Sequence, residues 1–105
     1  MAEELGYREE HKEGSVDIYL TGELDIYSSE GFKEKLYNTA DNADVDLKIH
    51  CDNLRYIDST GLGIFVGALK RVKGKNKNII LINLKENLKK LFIITGLDKV
   101  FIIEE

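Results

Sequence analysis

Ile57-Asp58-Ser59-Thr60-Gly61-Leu62-Gly63-Ile64-Phe65-Val66-Gly67 joins an apolar, strand-like run to the start of an amphipathic helix. Its hydroxyls and glycines fall at the seam. The side chain of Asp58 or Ser59 can act as helix N-cap, and the small residues that follow leave the first turn uncovered. From Thr60 onward, Leu62, Phe65, Val66, Leu69 and Val72 trace one apolar stripe. Lys70, Arg71 and Lys73 occupy the last turn, where cations complement the helix dipole, and Gly74 supplies the stop.

Outward from the seam the same alternation of strand and helix repeats. Upstream, Val45-Asp46-Leu47-Lys48-Ile49 alternates at the strand period, and Asp52-Asn53 reads as a turn leading to the seam. Before it, Phe32, Leu36, Tyr37 and Ala40 recur at helical spacing, with Ser28 or Ser29 as cap and Asp41-Asn42-Ala43-Asp44 as the stop. Val16, Ile18 and Leu20 share one face of an earlier strand, and the charged residues 5–13, turned by Gly14, suit an edge strand hairpinned to it. Downstream, Asn78–Asn83 is a continuous apolar run of the kind buried on both faces of a sheet. Leu84, Leu88, Leu91 and Phe92 mark a third helix ending near Gly96, and Val100–Ile103 supplies a last strand. The order β-β-α-β-α-β-α-β predicts an α/β fold: a mixed sheet of four to five strands, right-handed crossovers and packed helices.

At 105 residues, with 43% hydrophobic and 32% charged side chains, the chain is expected to form one globular domain over 1–105. A net charge of −4, from 19 acidic against 15 basic residues, disfavours nucleic acid as a partner. Cys51 is the single cysteine, which excludes an internal disulfide and fits a reducing compartment. With His11 and His50 the only histidines, no metal-ligand spacing is present, and no cofactor is expected. Met1-Ala2-Glu3-Glu4 lacks an apolar signal core, and no run approaches the roughly 18 residues of a bilayer span. A cytoplasmic protein without a membrane partner is the expectation.

Cofactor and catalytic patterns each fail at a particular residue. After Gly61 and Gly63 a dinucleotide fingerprint needs glycine at Val66, and Gly74-Lys75 is followed by Asn76 rather than the Ser or Thr of a P-loop. A hydrolase elbow would need glycine at Ile57, and the partner histidine would have to be His50, at a strand end. Lys70, Arg71, Lys73, Lys75 and Lys77 form a basic run with no interleaved aromatic, which suits a helix terminus and an exposed turn better than nucleic acid or anionic lipid. Capping and close helix–strand packing account for part of the seam. They do not account for Gly61 and Gly63 together, since each glycine costs up to about 1 kcal/mol relative to alanine in a helix. Backbone left bare for a partner explains both.

Asp58-Ser59-Thr60-Gly61-Leu62-Gly63 with Phe65-Val66-Gly67 resembles the phosphorylation-site signature of anti-sigma-factor antagonists of the STAS domain family. Gly22-Glu23-Leu24-Asp25-Ile26-Tyr27-Ser28 and Leu91-Phe92-Ile93-Ile94-Thr95-Gly96-Leu97 resemble two further segments of that family, in the same order, so the likeness covers nearly the whole chain. It is most similar to the general-stress-response type of Gram-positive bacteria. The resemblance implies a small mixed sheet with helices mainly on one side, and a regulator rather than an enzyme. Unmodified, it would bind an anti-sigma factor that is also a serine kinase, freeing a sigma factor; phosphorylation at Ser59 would end binding, and a PP2C-type phosphatase would restore it. The partner-binding residues would be Asp25, Asp58, Ser59, Thr60, Gly61, Leu62 and Gly63.

A phosphoryl group adds roughly −1.5 to −2 charges beside Asp58. A helix N-terminus tolerates an anion, so the effect is expected at the interface rather than on the fold. Asp25 can line the same face or make an Asx turn, and Leu62 can be an exposed contact or the first core residue of its stripe. Two other functions stay open: a STAS module of a stress-sensing or nucleotide-responsive assembly, and a small hydrolase using Ser59.

Overall fold

The computed structural model describes residues 5–105. Along the chain run β1 (Gly6–His11), β2 (Ser15–Leu24), α1 (Ser29–Asn42), β3 (Asp46–Ile57), α2 (Ser59–Lys73), β4 (Ile79–Ile82), α3 (Glu86–Ile94), a 3-10 turn (Leu97–Lys99) and β5 (Ile102–Glu104). They build a five-stranded sheet whose spatial order is the chain order, β1-β2-β3-β4-β5. β1 is antiparallel to β2, and the other neighbours are parallel. Each new parallel strand is added on the same side of the last, so right-handed crossovers deliver every helix to one face.

That face holds the core. Val16, Ile18 and Leu20 of β2, Leu47, Ile49 and Cys51 of β3, and Ile79 and Leu81 of β4 pack in one cluster with Phe32 and Leu36 of α1, Phe65, Ala68 and Val72 of α2, and Leu88 and Phe92 of α3. Phe65 is central, with ring centroids of Phe32, Phe92 and Phe101 at 5.5, 6.1 and 6.4 Å in tilted and edge-on arrangements favoured by the ring quadrupole.

On the opposite face, Arg8, Tyr19 and His50 are direct partners across β1, β2 and β3. The Tyr19 ring lies 4.2 Å from the guanidinium of Arg8 and 4.2 Å from the His50 ring. Beside them Asp17, 2% exposed, accepts from Ser15 Oγ at 2.6 Å and Lys12 Nζ at 3.3 Å and lies 2.8 Å from His50 Nε2. Burial alone would raise this carboxyl; the hydrogen bonds from Ser15, His50 and Lys12 outweigh it and hold it below its ordinary value.

The basic run is largely spent on the fold. Lys75 Nζ donates to the carbonyls of Ala40, Asp41 and Ala43 at 2.7, 2.8 and 2.6 Å, closing the C-terminus of α1. Arg71 stacks 3.8 Å over Tyr37 and pairs with Asp41 at 3.1 Å, while Lys73 bonds Asn78.

Several boundaries differ from the sequence expectation. Asp52-Asn53 is not a turn, because β3 runs on to Ile57 with register shifts against β2 between Tyr19 and Thr21 and between Gly22 and Glu23. The extra residues lie in β3, whose bulges bend it. Polar residues are tolerated there because the ladder with β4 ends at the His50–Ile82 pair. Leu84 precedes α3 instead of lying in it, and β5 begins at Ile102 because a 3-10 turn occupies Leu97–Lys99. Gly96, at φ 77°, allows the chain to leave α3 for that turn.

One consequence positions the site. The β1 ladder ends at the Gly6–Thr21 pair, so among the described residues Gly22–Leu24 pair only with Leu54–Ile57. This two-stranded tongue projects beyond the sheet and carries a loop at each carboxyl end.

Candidate functional site

The loop leaving β2 and the junction leaving β3 lie side by side, tied by Asp58 N donating to Leu24 O at 3.2 Å. Open parallel sheets place their binding sites outside the carboxyl ends of the strands. At the junction Asp58 is extended, its Oδ1 accepts from Gly61 N at 3.0 Å, and its carbonyl accepts from Leu62 N at 3.0 Å. Asp58 is therefore the N-cap of α2, which leaves the Ser59 side chain without that duty. Ser59 and Thr60 open α2 exposed to solvent, and among the described residues the Ser59 hydroxyl has no hydrogen-bond partner.

The glycines of the seam answer to different demands. Gly61 faces inward: a Cβ there would lie 2.7 Å from Leu24 Cγ and 3.2 Å from Ile57 Cγ2. Its bareness serves helix–strand packing, which corrects the expectation that Gly61 and Gly63 together form open backbone. Gly63 does point outward, with nothing within 4 Å of the place a Cβ would take. Gly67 faces α1, where a Cβ would overlap the Tyr37 hydroxyl. Leu62 is half-buried and packs on the core, as its place in the stripe predicts.

Across the tie, Asp25 makes an Asx turn. Its Oδ1 accepts from Tyr27 N at 2.9 Å and Ser28 N at 3.1 Å. Ser28 Oγ accepts from Asp25 N at 3.0 Å and donates to Glu23 O at 3.0 Å. Ser28 thus holds the loop and makes no side-chain cap bond to α1. Neither does Ser29 cap the helix; its hydroxyl donates to Ile26 O at 3.2 Å. Ile26 and Tyr27, which the sequence singles out only as part of the segment 22–28, and Tyr56, which it does not single out, are 63%, 86% and 47% exposed at this end of the tongue. The signal was present as two bulky apolar residues in a loop between β2 and α1.

His50 is not a base for Ser59. It is held by Asp17 on the sheet face away from the helices, and seven residues of strand before Ile57, at about 3.3 Å each, put it roughly 20 Å from the junction. His11 pairs with Glu9 at 3.0 Å in β1. Cys51 is buried, and its thiol is pushed up to about 12 by burial and the neighbouring Asp52 carboxylate. Among the described residues no group of His, Cys, Asp and Glu has the makings of a metal site, and no helix is long and apolar enough to cross a membrane.

The profile of the STAS domain family matches residues 8–105. The chain is 44% identical over 85 residues to the anti-sigma-B factor antagonist of Bacillus subtilis (strain 168), covering 81% of this chain and 77% of that protein. It is 37% identical over 89 residues to the antagonist of the same name in Listeria monocytogenes serovar 1/2a, covering 85% and 78%. Among solved structures, an anti-sigma-factor antagonist (STAS) domain protein from Planctomyces limnophilus superimposes with TM-score 0.84 at 14% identity, over 94% of this chain and 89% of that one. The unphosphorylated anti-sigma factor antagonist SpoIIAA gives TM-score 0.77 at 22% identity, over 95% and 88%. Its phosphorylated form gives 0.74 at 24%, over 93% and 90%. At these identities the solved structures establish the fold.

Proposed function

Since the chain belongs to the STAS domain family, we propose that it is an anti-sigma-factor antagonist that binds an anti-sigma serine kinase while Ser59 is unmodified and releases it once Ser59 is phosphorylated. The observation that carries this is the hydroxyl of Ser59: exposed, unbonded, and held at the start of α2 by a cap that Asp58 makes in its place. A phosphoacceptor must be reachable by another protein's active site and must not be needed by its own fold. Ser59 meets both conditions.

The kinase would present the terminal phosphate of ATP to Ser59 Oγ, the hydroxyl proton passing to a base on the kinase and ADP departing. Thr60, the outward backbone at Gly63 and the rim carboxylates of Asp25 and Asp58 form the surrounding contact, while Gly61 and Leu62 support it from behind. Any kinase acting here holds nucleotide phosphates against Ser59, so the product phosphoserine faces those phosphates when it rebinds. A single pair of like charges about 5 Å apart at an effective dielectric near 20 costs on the order of 3 kcal/mol, more than a hundredfold in affinity. The fold itself has no reason to yield, because an anion at a helix N-terminus is favourably placed. A PP2C-type phosphatase would hydrolyse the ester and return the binding form, the whole cycle running in the cytoplasm beside the sigma factor it controls.

The test uses the anti-sigma-B factor of Bacillus subtilis and γ-labelled ATP. The wild-type protein is expected to take up label at Ser59, and Ser59→Ala to take up none. Ser59→Asp should lose binding in calorimetry with unchanged circular dichroism. Label on a different residue, or undiminished binding by the phosphorylated protein, would refute the assignment.

A further inference from the structure

Ile26, Tyr27 and Tyr56 contribute nothing to the core cluster, yet they are the bulky apolar side chains exposed at the tip of the β2–β3 tongue. Glu23 and Tyr56 are direct partners across the two strands, and Leu24 and Ile57 are the next pair, so the patch borders the junction that presents Ser59. The loop that bears Ile26 and Tyr27 is fixed by the bonds of Asp25 and Ser28 to its own backbone. A tyrosine on such a loop has only two side-chain torsions left to order, so it offers contact area at small entropic cost.

From this geometry we infer that Tyr27, flanked by Ile26 and Tyr56, is a docking anchor that enters an apolar pocket on the kinase acting at Ser59, separate from the phosphoacceptor and unaffected by its state. The inference rests on the functional reading above. Charge identifies the occupant: Glu23 is the ladder partner of Tyr56, and Asp25 and the exposed Glu30 lie within four residues of Ile26 and Tyr27 along the chain, so carboxylates outnumber the one adjoining cation, Arg55. A second copy of this chain would set acid against acid, and an anionic membrane would be repelled as well. The fitting partner is a protein surface with an apolar centre and a lysine or arginine rim. Serine thus controls release, while the aromatic loop supplies affinity and partner choice.

The experiment is calorimetric titration of the ADP-loaded anti-sigma-B factor of Bacillus subtilis with wild-type protein, Tyr27→Ala, Tyr27→Phe and Ile26→Ser, each checked by thermal melting. Tyr27→Ala is expected to lose affinity on the order of thirtyfold with an unchanged melting temperature, since the side chain packs on nothing. Ile26→Ser should lose affinity in the same direction, Tyr27→Phe should keep it, and added salt should weaken wild-type binding. If the wild type binds and Tyr27→Ala binds within about threefold of it, or Tyr27→Phe loses as much as Tyr27→Ala, the anchor is overturned and the antagonist reading stands. If the wild type itself does not bind, the antagonist reading falls and the anchor falls with it.

Discussion

Gly63→Ala separates what the fold needs from what a partner needs. Gly63 lies within α2 and points to solvent, with no atom within 4 Å of the added methyl. Alanine is favoured over glycine inside a helix by about 0.8–1 kcal/mol, so the variant should be more stable by roughly 0.5–1 kcal/mol. For a domain of this size that raises Tm by roughly 3–6 °C in a thermal melt followed by circular dichroism. Gly61→Ala, two residues away, is the internal control. Its methyl would sit 2.7 Å from Leu24 Cγ in a fully buried side chain; overpacking of this kind costs about 1–3 kcal/mol, and the helix preference in the first turn returns only part of that. The pair should therefore move Tm in opposite directions. Under the function proposed above, binding of the anti-sigma-B factor by Gly63→Ala, measured in parallel, should weaken by about tenfold or more, because a partner packed on this bare backbone would have no room for a methyl group. A variant that gains stability and keeps full affinity would show that no partner approaches the backbone here. A loss of stability would refute the account of the helix itself.

Two further perturbations probe the scaffold. Gly67→Ala pushes aside the far end of the half-buried Tyr37 ring on which Arg71 stacks, so, set against alanine's helix preference, the net loss should be about 1 kcal/mol or less; with Tyr37→Ala in place the same substitution should stabilise in denaturant titrations. Asp17 has a lowered pKa in the fold, so its stabilising share is complete above the ordinary carboxyl value of 3.8 and is lost as pH falls through the lower folded value. Asp17→Asn should accordingly flatten the acid limb of a stability–pH curve and reduce stability at neutral pH by about 1–3 kcal/mol. Glu9 is held low too, burial being outweighed by bonds from Thr39, Tyr7 and His11, so part of that limb should survive. An unchanged acid limb in Asp17→Asn would contradict the assigned role.

The elements with strong periodicity were legible from the chain. The stripe of Phe65, Leu69 and Val72 and the faces of Val16, Ile18 and Leu20 lie in the core as the spacing predicts. So was the placement of Ser59 at a strand–helix junction, while the choice between Asp58 and Ser59 as cap stayed open in the sequence and falls to Asp58 in the structure. What failed was local chemistry overridden by tertiary context. Asp52-Asn53 carries turn residues, but a bulged parallel ladder with β2 keeps that stretch extended. The two glycines of the seam look alike as letters; only the position of the Leu24 side chain distinguishes the one that faces inward. Asp25 satisfies the Asx-turn alternative, and its turn displays a tyrosine whose exposure no periodicity could reveal.

The agreement of strand order with chain order bears on how the molecule is made. Val16 waits only for Leu47, Leu47 for Ile79 and Ile80 for Ile102, so no strand needs a partner from a distant part of the chain. Each parallel pairing closes over one intervening helix, which suits addition of one strand–helix unit at a time as the polypeptide leaves the ribosome. The two strands and the junction that carry Ser59 precede β4, α3 and β5 in the chain, and Phe65 of α2 completes its packing only when Phe92 and Phe101 arrive. Synthesis thus lays down the parts of the Ser59 junction before the aromatic contacts that lock them in place.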